Sequence, residues 1–490
     1  MPPAPAPALP LARRGLPPHG ALLAAGAALV ALLLLQPLLR IPLHVPLNYN
    51  EGWNAYLDAR AAGLAPGPLY PSDGLVFDNY PPLSFHLVGA FGRLAGLDMI
   101  VAGRIVAAAS LLASAALAGL CAARLGGGAR AGVAAGGLLL LHAATLFRGY
   151  VAMDDPQWLA HALMLGGLAV LLRDPGTART PLRQVAAAAL LVAAGGFVKH
   201  SLVGLPLAAT AWLALLRPRA AAAWLLAASC AVAAGALATA LLHGTGAFAA
   251  VLAHRRVFQA ARLGPALGDQ AAFLPMLLVA VLAWRARRHP SDPPALFAAL
   301  FVAASLLTGT VQRLGEGVNV NAHFETLAAL CIATGLAVSR AAASPGRGRP
   351  PAALLVLAAL PALAMAPRTL WRSWDQALAA PALARAWAPV IERIRAAPGL
   401  AGCEMPSLCF WAGKPFTVDQ FNLGQSIDTG APIAPFHALP FGIFEYGADA
   451  YRRATTPGPQ RRDPLLADLL ARGYAPVAGG PDGIVLLGPP

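Results

Sequence analysis

Five short stretches of this 490-residue chain place carboxylates, cations or amides at the edges of apolar runs. Glu51 stands in NYNEGW, Asp154 and Asp155 in MDDP, Lys199 and His200 in FVKHS, and Arg255 and Arg256 in HRR; the fifth stretch is GEGVNVNAHFE. Ionisable groups at a lipid boundary are costly unless paired or solvated, so they are functional candidates. A carboxylate partly shielded from water suits a general base, which makes Glu51, Asp154 and Asp155 the catalytic candidates. A neighbouring carboxylate could orient an acceptor or hold a divalent cation. Asp154 and Asp155 are the candidate ligands for such a cation, and the sequence does not decide whether one is needed. The same pair, ahead of Pro156, also reads as a helix cap, and Glu51 as a solvated loop charge. Lysine occurs only at Lys199 and Lys414 in a chain that otherwise uses arginine. A lysine is a compact point charge for a phosphate, so Lys199, with Arg255 and Arg256, is a candidate phosphate grip. Snorkelling is the plainer reading of Lys199, and surface charge that of the arginines. Tyr80, His200, Asn321, His323 and Glu325 are the candidate substrate contacts, although His323 equally suits a polar helix start. No Walker motif, GxSxG, HExxH or haem signature is present.

These groups must be held by membrane helices. The chain is 58% hydrophobic and 12% charged, with a mean hydropathy of +0.61. A soluble chain carries about 25% charged residues. Apolar runs near 20–39, 99–123, 131–148, 155–173, 183–198, 201–216, 220–242, 271–288, 294–311, 322–340 and 352–367 predict about eleven spans. The first run follows Arg13 and Arg14 but lacks a small-residue cleavage site, so it reads as an uncleaved span. With the N-terminus in the cytoplasm, the short arginine-bearing connections at 124–130, 173–183, 217–219, 285–289 and 340–349 all fall inside. The carboxylates, Lys199 and the tail then fall outside. The connection 243–270, with three arginines, is the exception. The net charge of +14 is accounted for by these loop clusters, and no basic face with interleaved aromatics suggests nucleic acid.

The predicted fold is therefore an all-α polytopic membrane domain over 1–367, with a long first outer loop at 40–98, and a small extracytoplasmic α+β domain over 368–490. Within the loop, 51–62 reads as helix and 83–97 as an interfacial helix after Tyr80-Pro81-Pro82. In the tail, 370–397 reads as an amphipathic helix, and 408–421 and 474–487 as short strands, the latter turning at Gly479–Gly483. The segment 341–351 reads as a flexible loop. Cys403 and Cys409 are close enough to pair. Cys121, Cys230 and Cys331 read as small core residues within apolar runs, and no internal repeat is visible.

NYNEGW, then YPPLSF, then MDDP at the outer end of a later span, resemble the GT-C superfamily of membrane glycosyltransferases. The bacterial protein mannosyltransferase and aminoarabinose transferase group is the most similar part of it, and the tail stretch CEMPSLCFWAGKPFTVDQFN resembles the outer domain of bacterial members. The resemblance implies inverting transfer of a sugar from a polyprenyl-phosphate donor to a lipid, glycan or protein acceptor on the outer face of the cytoplasmic membrane. It gives Glu51 the place of the first-loop acid and Asp154 and Asp155 that of the second acidic motif, with Lys199 and Arg255 or Arg256 at the donor phosphate. Where some relatives carry Asp-Glu, this chain has Asn50-Glu51, which argues against a metal held in that loop. A polytopic transporter or lipid flippase is the competing class. It calls for repeats and charges at mid-membrane, whereas the charges here gather at one face. A non-catalytic scaffold is the third reading and needs no convergence of those charges. The sugar, the acceptor, the polyprenyl chain and the oligomeric state are not legible.

Overall fold

A computed structural model describes residues 18–173, 180–253, 256–285, 292–343, 351–456 and 463–490. Arg255, His254 and most of the expected loop at 341–351 lie outside the described residues. The helices of the membrane part are α1 (Pro18–Leu39), α2 (Tyr49–Ala61), α3 (Leu83–Ala95), α4 (Met99–Ala122), α5 (Gly128–Thr145), α6 (Gln157–Leu171), α7 (Leu182–Val198), α8 (Gly204–Leu216), α9 (Pro218–His243) and α10 (Gly246–Leu252). They continue with α11 (Leu263–Ala271), α12 (Leu274–Arg285), α13 (Pro293–Arg313), α14 (Phe324–Ala342) and α15 (Pro351–Ala396). Local chemistry sets several starts. Asn48 caps α2, Asp98 caps α4 through the amides of Ile100 and Val101, and Asp292 caps α13 just before Pro293.

Among the described residues, five helical stretches are long and apolar enough to cross a membrane, or six if the bent pair Ala260–Ala271 and Leu274–Leu282 is one span. One of the five, Met99–Thr145, contains both α4 and α5, which break at Gly126 (φ 94°). Four further apolar helices are shorter, at Ala24–Leu39, Gln157–Leu171, Leu182–Val198 and Gly204–Leu216. Together these cover each of the expected apolar segments, and the chain is a multi-pass membrane protein with a small C-terminal α+β unit. α14 is the central helix: residues 324–338 are all buried, from Phe324 to Val338. The outward apolar surface of α9, including Leu226 and Leu241, suits lipid contact.

α15 has 46 residues, a length of about 69 Å at 1.5 Å per residue, roughly twice a bilayer core. It runs without a break through residue 367, where the sequence places the domain boundary, and it contains the expected helix at 370–397. Its far end, with Trp387, Val390, Ile391 and Ile394, shares one apolar core with Trp53, Tyr56 and Phe85 of the first loop. That core also takes Leu408 and Trp411 of α16 (Pro406–Trp411) and Ile443 of the sheet. The tail is thus docked on the first loop. A Cβ at Gly52 of α2 would fall 1.9 Å from the Ser407 amide nitrogen, so only glycine permits that approach.

The sheet contains β1 (Leu400–Cys403), β2 (Phe441–Tyr446), β3 (Ala475–Gly479) and β4 (Val485–Gly488) in the order β1-β2-β4-β3, with β1 parallel to β2 and the other pairs antiparallel. β3 and β4 match the turned strands expected at 474–487, β4 running one residue further to Gly488. The strand expected at 408–421 is absent. Its first part is the end of α16, begun by Pro406 at the first helical turn, and its last residues begin α17 (Gln420–Asp428), capped by Asp419. A short apolar run does not distinguish strand from buried helix. The remaining tail helices are α18 (Ala434–His437), α19 (Ala448–Thr455) and α20 (Pro464–Ala471). Cys403 and Cys409 form a disulfide between β1 and α16.

Candidate active site

The first-loop acid is locked. Glu51, in the first turn of α2, is fully buried and receives Nε and Nη2 of Arg104 at 2.8 Å each. Arg104 is itself fully buried in α4 and donates to the carbonyl oxygens of Leu43 (2.7 Å) and Val45 (2.8 Å), and more weakly to those of Arg40 and Ile41. Glu51 Oε1 also accepts the Asp154 amide at 3.3 Å. This fork ties the end of α1, the start of α2 and the 151–156 turn to one span. Sequence reading missed Arg104, although an arginine one turn inside an apolar helix is itself a strong signal.

The second acidic pair is split by its surroundings. Asp154 is 3% exposed and faces inward. Its carbonyl accepts Asn54 Nδ2 at 2.8 Å, while its Oδ2 has no hydrogen-bond partner. A Cβ at Gly103 of α4 would fall 2.0 Å from the Asp154 carboxyl, so glycine there makes room for it. Burial raises the Asp154 pKa well above the usual carboxylate range, and the Asp58 carboxyl adds to the shift. Asp155 has different partners. Its Oδ1 lies 3.5 Å from Lys199 Nζ and accepts the Gln157 amide at 2.8 Å, and its Oδ2 accepts Asn50 Nδ2 at 3.4 Å. The glutamine contact caps the start of α6, so the helix-cap reading and a functional reading both apply to Asp155.

Lys199 closes α7 and is 5% exposed. Its ammonium also reaches Tyr80 Oη at 3.4 Å and lies 4.8 Å from the Tyr80 ring centroid. Burial alone lowers its pKa, but Asp155 and Tyr80 outweigh that and hold it above the usual lysine value. The side chain is therefore a fixed, charged group rather than a snorkelling one.

Asn50, Tyr80, Gln157 and Lys199 line a cavity of about 330 Å³. Trp53, Asn79, Tyr150, His200, Arg256 and Asn321 extend its wall, and the tail contributes Phe421 and Asn422. The cavity therefore lies where the first loop, the helix ends and the tail meet. Arg256 Nη1 also donates to the Glu316 carbonyl at 3.4 Å. Asp419 fixes the tail wall: it accepts Trp53 Nε1 at 3.0 Å, the Tyr49 hydroxyl, and Asn422 Nδ2 at 2.7 Å. Burial raises the Asp419 pKa against these hydrogen bonds. Asp419 and Asn422 lie in the tail stretch CEMPSLCFWAGKPFTVDQFN, but nothing local sets them apart within it, because the Tyr49 and Trp53 partners of Asp419 are more than 360 residues away.

Of the expected residues, Tyr80, Lys199, His200, Arg256 and Asn321 line this cavity, and Asp155 touches three of its wall residues. Glu51 and Asp154 lie behind the wall. His323 is fully buried, 4.0 Å from Asp269. Glu325 accepts the Gly204 and Leu205 amides at 3.0 and 2.9 Å, which caps α8. His323 and Glu325 are therefore not brought to the cavity. Arg255 lies outside the described residues.

A divalent cation held by Asp154 and Asp155 finds a poor donor set. Asp155 is engaged by Lys199, Gln157 and Asn50, and the space that Asp154 and Asp155 both line is only about 10 Å³. Among the described residues no three His, Cys, Asp or Glu side chains converge as a metal cage.

No protein-family model matches the chain, and no curated protein matches it in sequence. Solved structures do match. ArnT from Cupriavidus metallidurans bound to undecaprenyl phosphate superposes with a TM-score of 0.65 over 96% of this chain and 98% of that one, at 16% identity. The apo form of that ArnT gives a TM-score of 0.61 at the same identity, over 95% and 97%. The archaeal oligosaccharyltransferase AglB from Archaeoglobus fulgidus, in complex with an inhibitory peptide and a dolichol-phosphate, gives 0.51 at 11% identity, covering 87% of this chain and 70% of that one. At such identities the likeness establishes a common architecture, and the chain shares the fold of ArnT and AglB.

Proposed function

We propose that this chain is a membrane glycosyltransferase that moves a sugar from a polyprenyl-phosphate donor to an acceptor hydroxyl. The observation that carries the reading is Lys199 on the lining of a polar cavity that Arg256 also lines, with the buried Asp155 paired to Lys199 from behind that lining. A phosphate leaving group needs cations, and Lys199 and Arg256 supply them. An acceptor hydroxyl needs a base, and Asp155 is the carboxylate beside those cations. A donor phosphate reaching Lys199 competes with Asp155 for the ammonium and so frees the carboxylate at the moment the donor is in place. The acceptor oxygen then bonds to the anomeric carbon, the bond from that carbon to the phosphate oxygen breaks, and the polyprenyl phosphate leaves with the electron pair. The hydroxyl proton passes to Asp155, and the anomeric configuration inverts.

Glu51 and Asp154 act in this scheme as positioning residues rather than as the base. Two apolar cavities of about 290 and 230 Å³, sharing Leu277 and Leu306 along α12 and α13, offer room for isoprene units. ArnT and AglB, whose fold the chain shares, were captured with undecaprenyl phosphate and a dolichol-phosphate, which supports the donor class. The arginine-bearing connections support a cytoplasmic N-terminus, with the membrane part (1–367) in the inner membrane and the tail (368–490) outside, where a lipid-linked donor and an envelope acceptor would meet. The test is undecaprenyl phosphate binding by the purified chain, together with sugar transfer from an undecaprenyl-phosphate sugar. Binding that survives Lys199→Ala and Arg256→Ala together, or wild-type protein that binds no polyprenyl phosphate, would overturn the reading.

A further inference from the structure

A larger cavity of about 580 Å³ lies beside the first, and the same three segments wall both. The first loop gives Asp78 to the larger cavity and Asn79 to the smaller; α10 gives Ala250 to one and Val251 to the other; α17 gives Ser426 to one and Asn422 to the other. The two cavities are thus opposite sides of one partition.

Their chemistries differ. The smaller cavity presents Lys199 and Arg256. Among the described residues that line the larger one there is no lysine, arginine or histidine. Its wall is made of glycine and alanine with Pro71, Val76 and Phe77, the hydroxyl residues Ser72, Ser426 and Thr429, and a single carboxylate, Asp78. Asp78 is 2% exposed; Oδ1 accepts the Tyr80 amide at 3.0 Å, and Oδ2 has no hydrogen-bond partner. The hydroxyls of Ser72, Ser426 and Thr429 on the lining can both donate to and accept from the hydroxyls of a ligand. A phosphate there would meet no lysine, arginine or histidine among the described residues of the lining. The volume falls in the range of small-ligand sites, roughly 300–1,000 Å³, and the small side chains leave room for a polar ring.

We propose that the larger cavity is the acceptor subsite and that it takes a neutral, hydroxyl-rich saccharide rather than a phosphorylated lipid headgroup. This rests on the glycosyltransferase reading of the smaller cavity. The partition lets the two substrates enter from different sides and meet at the edge formed by Asp78–Tyr80, whose last residue is the Lys199 contact.

The experiment uses the full-length chain in detergent, with short neutral hexose and pentose oligosaccharides and undecaprenyl phosphate as probes. Backbone hydrogen exchange is followed in 71–78 and 426–431 for the first probe and around 199–201 and 256–258 for the second. Neutral oligosaccharide should protect the first pair of segments. Ala250→Trp and Ser426→Trp, which fill the cavity, should each raise its half-saturating concentration at least tenfold while leaving undecaprenyl phosphate binding unchanged. That second measurement also shows the variants to be folded. Protection of 71–78 and 426–431 by undecaprenyl phosphate alone would overturn the proposal, as would unchanged oligosaccharide binding in both variants or transfer into an anionic lipid fraction that the variants do not slow. Oligosaccharide protection without any phosphate binding would keep the subsite and remove the glycosyltransferase reading instead.

Discussion

Two buried ion pairs stand within one small region of this protein and differ in almost every physical respect. Glu51 and Arg104 are both fully buried and joined by two 2.8 Å contacts, and Arg104 also holds backbone carbonyls of the preceding loop. Lys199 and Asp155 meet at 3.5 Å, and Lys199 borders an open polar cavity. The first pair has no room for a substrate and every reason to persist. The second is loose enough to be exchanged for another anion. A charged residue at a membrane boundary is thus a fair pointer to a site, but only the geometry separates the pair that builds the site from the pair that works in it.

The largest effect expected from breaking this contrast is on folding. Glu51→Ala or Arg104→Ala leaves one buried charge unpaired, which costs about 3–5 kcal/mol. Each should lose most of its folded protein in a detergent melt, whatever its transfer rate. Glu51→Leu combined with Arg104→Met should recover part of the loss but not all, because the carbonyls of Leu43 and Val45 then lack their donor. Normal melting of either single variant would place Glu51 back among the reactive groups.

Next comes the donor grip. Lys199→Ala removes a charge-assisted contact worth about 1.5–3 kcal/mol, so undecaprenyl phosphate affinity should fall roughly ten- to a hundredfold. The melting midpoint should change less than in the Glu51 and Arg104 variants, since Asp155 keeps its Gln157 and Asn50 contacts.

The smallest effect lies in the tail. Burial lifts the Glu445 carboxyl to about 8 from its usual 4.5, and one of its oxygens has no hydrogen-bond partner. Its folded form binds a proton more tightly than its unfolded form. That contribution to stability is complete below about pH 4.5 and is lost as the pH rises through about 8. The melting midpoint of the tail should therefore fall across that window, and Glu445→Gln should flatten the fall by a few degrees, with about 4 °C per kcal/mol expected for a unit of this size. Glu404, Asp419 and Asp463, also raised by burial, leave a residual slope of the same sign. An unchanged slope in the glutamine variant would show that Glu445 is ionised in the folded tail.

The spans were readable because hydrophobic length is a local property, and the described helices fall on the expected apolar segments. The loop helices at 49–61 and 83–95 were readable for the same reason, helped by Tyr80-Pro81-Pro82. The segment 408–421 was not, because a six-residue apolar run fits either strand or helix until Pro406 and the neighbouring sheet decide it. Within the site, Lys199, Tyr80, His200, Arg256 and Asn321 were picked by residue type and place, and they meet. Glu325 was picked by the same rule, yet it caps a helix. Its partners, the Gly204 and Leu205 amides, are about 120 residues away and carry no side-chain signature. Asn422 and Asp419 were missed because only the long α15 brings the tail back over the first loop.

The central claim is that Asp155, not Glu51, takes the proton. The direct measurement is single-turnover sugar transfer by Asp155→Asn at saturating donor, with folded protein matched to wild type by its melt. The account predicts a rate lower by about 10²–10⁴ with undecaprenyl phosphate still bound. An unaltered rate in folded Asp155→Asn protein would contradict it.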